Sequence, residues 1–244
     1  TSVSEGVMVE VLLNGQFAYA ATSNMSLSSI QQAVDKAMMM AESAAANTVY
    51  PFKDNVRPAS KGSYKSPRKL GVDTLDPGEI NEFLIKANNA LKVSDKIVSV
   101  NAMARVIETN MQFVSTTGAD LEQDFLIVGT TYTATAVDGD VMQTRTDSGR
   151  GRVYQAGFEI FDEEEMLNLC SRIGEQSVEL LSAEECPTGN LDLVLAPDQM
   201  ILQIHESIGH PLEIDRILGD ERNYAGWSFV RLDDFDTLKY GSDI

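Results

Sequence analysis

Apolar and polar positions alternate from Val7 to Thr22 on either side of Asn14-Gly15, in VMVEVLLNGQFAYAAT. This pattern predicts two strands joined by a tight turn. The period then changes. Ile30, Ala33, Val34, Ala37, Met38 and Ala41 follow a serine-rich start, and their spacing predicts an amphipathic helix over roughly Ser28–Ala45. Its three consecutive methionines, Met38, Met39 and Met40, are read as core filling rather than metal ligands. PFKDNVRPASKGSYKSPRKL (51–70) interrupts the pattern and carries the only basic cluster in the chain. It reads as a solvated loop or linker, with a nucleic-acid or peptide contact as the sharper alternative.

Asp76-Pro77-Gly78-Glu79 then opens a second helix with a capping signal, and Ile80, Phe83, Leu84, Ala87 and Leu91 form its apolar stripe. From Ile97 to Phe158 the chain is rich in β-branched residues alternating with polar ones, broken at Thr117-Gly118-Ala119-Asp120 and Asp138-Gly139-Asp140. An antiparallel meander is expected there. Glu163-Glu164-Glu165 puts three acids in the first turn of a third helix, where they suit the helix dipole, and that helix should run to about Ser182. LDLVLA (191–196) reads as a strand feeding one more helical segment. Strands and helices come in blocks, so the expected class is α+β: an antiparallel sheet with packed helices, followed by the strand-helix start of a second domain. The expected boundaries are 1–187 for the first domain, with 50–70 as its loop, and 188–244 for the beginning of the second.

Composition narrows the partners. The apolar share is 43%, the formal charge −18 and the pI about 4.4. Such a surface repels nucleic acid and anionic membrane. No apolar run approaches a membrane span, and the start does not read as a signal peptide. Because the first residue is Thr1, the chain is expected to be trimmed at its start. Cys170 and Cys186 show no framework spacing, so a reducing compartment and buried structural thiols are expected.

The chemistry concentrates in IHESIGHPLE, Ile204–Glu213, which holds both histidines of the chain. Met200, Ile201, Ile204 and Ile208 recur at helical spacing, so His205 and Glu206 should lie on a helix. Two neutral imidazoles suit a zinc-like ion, and an adjacent carboxylate can serve as a proton acceptor. The spacing is unusual: residues five apart point about 140° away from each other on a regular helix. Pro211 biases His210 away from the right-handed helical region, and Gly209 permits an unusual turn. The helix is therefore expected to break between Ile208 and Pro211, swinging His210 to the side of His205. The plainer alternative is a histidine pair at a helix end, one favouring the C-terminal dipole and one packed. Glu213 and Asp215 could be ligands, could orient a ligand, or could be solvated carboxylates.

His205-Glu206-Ser207-Ile208-Gly209-His210 matches the HExxxH motif of the TldD/PmbA family of proposed metalloproteases, and the chain resembles its TldD-like catalytic branch. LDLVLAPD before the motif, LE after Pro211, AGWSFV and YGSD further on, and VMVEVLLNGQFAYAATSNMSLSSIQQAVDKA at the start all resemble the family. Pro211 departs from the small residue that relatives often have there. The resemblance implies His205 and His210 as metal ligands and Glu206 as catalytic base. It also implies a cytoplasmic peptidase working on unfolded or leader peptides, as a homodimer or as a heterodimer with a PmbA-like subunit. The family's third ligand is a cysteine from a C-terminal domain, so this chain is expected to be a truncated portion. The expected function is metal-dependent peptide hydrolysis, with zinc as the cofactor and Glu206 moving the proton. The rival is a non-catalytic dimerising or peptide-binding subunit with an incomplete metal site.

Overall fold

The computed structural model describes residues 2–48, 50–53, 57–74, 76–149, 151–239 and 241. The chain divides into two compact units, residues 1–58 with 195–244, and residues 59–194. The N-terminal hairpin and helix close their own small core, and the long sheet closes another.

In the first unit, β1 (Val7–Leu13) and β2 (Gln16–Thr22) pair antiparallel with Leu13 opposite Gln16. Asn14 and Gly15 both take positive φ, 51° and 81°, as the tight hairpin turn demands. Helix α1 (Leu27–Ala45) starts at Ser26, whose hydroxyl accepts from the Ser29 amide. Ala33 and Ala37 pack on Ala20, Val9 and Val11. The small side chains let helix and hairpin approach closely. Met38, Met39 and Met40 are exposed, which corrects their reading as core: alanines, not methionines, hold the buried stripe.

In the second unit, β4 (Ile97–Val114) and β5 (Asp120–Asp138) form a long antiparallel pair, and β6 (Val141–Thr146) and β7 (Arg152–Tyr154) both pair antiparallel with β5. The expected meander holds over β4, β5 and β6, with 111–114 continuing β4 rather than forming a new strand, but β7 returns to β5 instead of pairing with β6. Within the expected loop 50–70, β3 (Lys61–Lys65) pairs parallel with β5, so that reading is corrected. The pairing continues through Ser66, whose amide donates to the Asp124 carbonyl and whose hydroxyl accepts from the Leu126 amide, both at 2.8 Å. Arg68 is not solvated either: its guanidinium meets Asp124 and Glu108. Asp54, Asn55 and Val56 of the expected loop lie outside the described residues.

Alternate residues of β5, including Leu126, Val128, Tyr132, Ala134 and Ala136, are buried. Helices α2 (Pro77–Leu91) and α3 (Glu163–Glu179) cover Tyr132 and Ala134 with Phe83, Ala87, Leu91, Met166, Cys170 and Ile173. A fully buried leucine such as Leu91 contributes about 1.5–3 kcal/mol. Both helices start as expected. Asp76 accepts from Gly78 at 2.7 Å, and Asp162 accepts from Glu165 at 2.9 Å. Burial pushes the Cys170 thiol up to about 12, leaving it inert at neutral pH. Cys186 is exposed, against the expectation of a buried thiol. Leu191–Ala196 forms no strand: Leu191, Leu193 and Val194 are exposed and the backbone is irregular. Among the described residues no helix is long and apolar enough to cross a membrane.

Two contacts generate predictions. A Cβ on Gly174 would sit 2.3 Å from the Leu91 carbonyl oxygen, because α3 crosses the end of α2 backbone to backbone. Gly174→Ala should therefore force the helices apart and lower unfolding stability by about 1–3 kcal/mol, the usual cost of overpacking, as read by denaturant titration. An unchanged midpoint would refute the contact. The second is Glu159, whose carboxylate accepts from the amides of Lys69, Leu70 and Gly157 at 3.0–3.1 Å. Desolvation pushes this group up. The three amides and its own amide together outweigh that and hold it at about 2, against an ordinary 4.5. A depressed folded-state pKa means stability that is complete above the unfolded value and lost as pH falls through the folded one. Glu159→Gln should thus be less stable than the parent at pH 7. The difference should shrink between pH 4.5 and 2, as measured by thermal unfolding at each pH.

Candidate metal centre

The motif helix α4 (Pro197–Ile204) opens with proline in its first turn, where the missing amide costs nothing. Its apolar positions Met200, Ile201 and Ile204, with Ile208 beyond, are exposed. The next five residues, His205–Gly209, form a single π turn, closed by the amide of His210 donating to the carbonyl of His205. A 3-10 turn, His210–Leu212, follows. The chain then enters the short helix α5 (Ile214–Leu218), which ends at Gly219 with φ 90°.

The expected break at Gly209-His210 does not occur. His210 keeps right-handed helical angles, φ −60° and ψ −42°, despite the proline after it, and Gly209 has φ −57°. No glycine-only conformation is used. Instead the helix widens. An i→i+5 hydrogen bond brings residue i+5 back toward residue i, so the two imidazoles meet with centroids 4.3 Å apart and planes at 74°. The expected outcome, both rings on one side, is reached by a different backbone route. The 140° divergence belongs to the α repeat and vanishes in the π turn.

Glu206 lies beside both rings. Its Oε1 is 3.9 Å from His205 Nε2, and its Oε2 is 3.8 Å from His210 Nε2. One donor atom from each of the three residues falls within 4.8 Å of the others. A tetrahedral ion with bonds of 2.0–2.1 Å would bring ligand atoms to roughly 3.3 Å of each other. The present separations exceed that by about an ångström or less at the His–Glu pairs, within reach of side-chain rotation. The donor set of two imidazoles and a carboxylate is the chemistry zinc accepts. The residues present fit a divalent ion.

The surroundings of His210 differ from those of His205. Its side chain is 28% exposed against 56%, and its Nδ1 lies 2.8 Å from Glu213 Oε1. That hydrogen bond outweighs desolvation and, with the Arg216 charge added, holds the Glu213 carboxyl below the usual carboxylate range. Asp215, the other carboxylate considered, turns to the backbone amide of Arg216 at 2.9 Å. Arg216 was not foreseen, although its i,i+3 relation to Glu213 is a readable pairing signal. Its Nη1 donates to the Ala225 carbonyl at 3.2 Å, and the Ser228 hydroxyl donates to the Pro211 carbonyl at 2.6 Å. Residues 225–230 are thereby tied to the end of the motif. Tyr240, Ser242 and Asp243 of the YGSD stretch lie outside the described residues.

The sequence matches the model of the PmbA/TldA metallopeptidase domain 1 over residues 1–41 and that of the PmbA/TldA metallopeptidase central domain over residues 71–182. The histidine motif lies outside both ranges. A metalloprotease of Methanothermobacter thermautotrophicus is 29% identical over 215 residues, 88% of this chain and 45% of its own length. A metalloprotease of Methanocaldococcus jannaschii is 24% identical over 219 residues, 88% of this chain and 47% of its own. The chain spans about half the length of the curated relatives it matches. Among solved structures, a proposed modulator of a DNA gyrase from Thermotoga maritima aligns with a TM-score of 0.55 at 16% identity, covering 76% of this chain and 40% of that one. TldE from Thermococcus kodakarensis aligns at 0.51 and 15%, covering 71% and 37%. These structures share the α+β fold. The two domain models together cover more than half of the residues, and the chain belongs to the PmbA/TldD metallopeptidase family.

Proposed function

We propose that this chain carries the metal-binding segment of a metal-dependent peptidase of the TldD-like branch, with His205 and His210 as ligands and Glu206 as the base. The observation that carries this reading is the convergence of the three side chains through one π turn. A divalent ion, zinc by the donor set, would polarise the scissile carbonyl and acidify a water when bound. The protein's share is positional. His205 and His210 present Nε2 from one side of the turn, and Glu206 holds a carboxylate within 4 Å of both. From there Glu206 takes the proton of the attacking water and returns it to the leaving amine. The side chains of His205 and Glu206 are more than half exposed, so an extended backbone can approach. Unfolded or leader peptides fit as substrates of the whole protein, in the cytoplasm. A homodimer or a heterodimer with a PmbA-like subunit fits as the assembly. Residues 188–244 are then the start of the catalytic domain, with a cysteine elsewhere in the whole protein as third ligand.

One observation favours the rival, a peptide-binding or dimerising subunit without turnover. Among the described residues, the group placed to hold an ion is two imidazoles and Glu206, Glu213 being turned to His210 Nδ1 and Arg216. If Glu206 is itself the third ligand, no base remains. One experiment separates the readings. In the intact protein, Glu206→Gln should keep zinc bound within a few-fold of the parent affinity and lose about 10²–10⁴ in peptide turnover, the worth of a positioned base. His205→Ala should lose both. Zinc lost with Glu206→Gln would make Glu206 a ligand, and turnover near the parent rate would remove it from the mechanism.

A further inference from the structure

The contacts of His210 decide which of its nitrogens faces the site. Nδ1 has two polar neighbours, Glu213 Oε1 at 2.8 Å and Arg216 Nη2 at 3.1 Å. A guanidinium has only donors, and an ionised carboxylate only acceptors. A single ring nitrogen cannot satisfy both. Were Nδ1 to accept from Arg216, its lone pair would point at a carboxylate oxygen at hydrogen-bond distance, and the proton would sit on Nε2. Were Nδ1 to donate to Glu213, the shorter contact would be a hydrogen bond and the Arg216 contact only proximity. The carboxylate gains its donor, and the guanidinium turns its charge to the same carboxylate, where Arg216 Nε meets Glu213 Oε2. The Ala225 carbonyl then fixes the other end of the guanidinium. Only the second arrangement leaves the Nε2 lone pair directed to the Glu206 side.

We propose that Glu213, clamped by Arg216, is a positioning residue that fixes His210 in its Nδ1–H tautomer and so keeps Nε2 free to bind a metal ion. Carboxylate–imidazole pairs of this kind orient metal-binding histidines and raise their basicity. The clamp also assigns a role to Glu213 other than ligand, since both of its oxygens are turned to His210 and Arg216. The inference rests on His210 being a ligand.

The test uses the intact, metal-free protein with ¹⁵N-labelled histidine, at a pH where the rings are neutral. Long-range ¹H–¹⁵N spectra report the tautomer of each ring. His205→Ala and His210→Ala assign the signals of these two rings. His210 should be the Nδ1–H form in the parent. In Glu213→Gln the amide must turn its oxygen to the guanidinium and its NH₂ to Nδ1. His210 should then shift to the Nε2–H form, and zinc affinity should fall roughly 10–100-fold, the usual loss for such a partner. Adding Arg216→Met to Glu213→Gln releases the amide to accept from Nδ1–H, and should restore the tautomer and most of the zinc affinity. A partner that mattered only for packing would give no such recovery. The proposal is overturned if the parent ring is Nε2–H or the mixture of a free imidazole, or if the double variant is no better than the single. If the tautomers follow the series and zinc affinity does not, the link to the metal fails, and with it the reading of His210 as a ligand. If His210→Ala loses zinc while the Glu213 variants move neither quantity, the clamp alone fails and the proposed function stands.

Discussion

One backbone hydrogen bond, from the His210 amide to the His205 carbonyl, governs what the motif segment can do. With an ordinary i→i+4 ladder the two imidazoles would diverge by about 140°. With an i→i+5 closure they meet edge to face at 4.3 Å. A π turn is a poor local structure, which is why it occurs as single turns and often at functional sites. Here the sequence lowers its relative cost. Pro211 has no amide hydrogen, so a regular α ladder would lose a bond at that point in any case. The chain widens just before the position where the ladder would break, then tightens into a 3-10 turn in which the Glu213 amide returns to the His210 carbonyl at 3.2 Å. Pro211 was expected to act on the φ and ψ of His210. Its missing donor offers the better physical account.

The second unit depends on a different constraint, the single strand β5. Four strands pair with it, three antiparallel and one parallel, and its buried face receives both long helices. Register is therefore strongly specified, because a slip of one residue would turn Leu126, Val128, Tyr132, Ala134 and Ala136 outward together. The surrounding segments are tied down by polar contacts. Ser66 extends the parallel pairing, Arg68 answers Asp124, and Glu159 gathers the amides of residues 69, 70 and 157.

Much of this was legible in the sequence. The Asn14-Gly15 hairpin, the caps at Asp76 and Asp162 and the alternation along β5 follow from local chemistry, and each stands where its residues indicate. The misreadings have a common cause: they needed knowledge of a distant partner. Lys61–Lys65 looks like loop because its residues are polar and small, yet it pairs with a strand some sixty residues away. Leu191–Ala196 looks like strand because its residues are apolar, yet no described strand pairs with it. Met38, Met39 and Met40 fit a helical stripe, but close packing on the hairpin selects the alanines instead. At the site, residue types and spacing marked His205, Glu206 and His210, while the π turn and the Arg216 contact were hidden. Sequence periodicity assumes a regular repeat, and the turn departs from one.

The same departure brings both imidazoles of a chain with a charge of −18 together within six residues. In so acidic a chain, a carboxylate near a histidine carries little information. Here, though, the carboxylates are sorted by side. Glu206 stands at the Nε2 edge of both rings, whereas Glu213 stands at the Nδ1 edge of His210 and is neutralised there by Arg216. Pairing Glu213 with a guanidinium offsets its charge and leaves its hydrogen bond to His210. The two glutamates beside His210 therefore differ in surroundings: Glu213 is paired with a guanidinium, whereas Glu206 faces the Nε2 atoms of both rings.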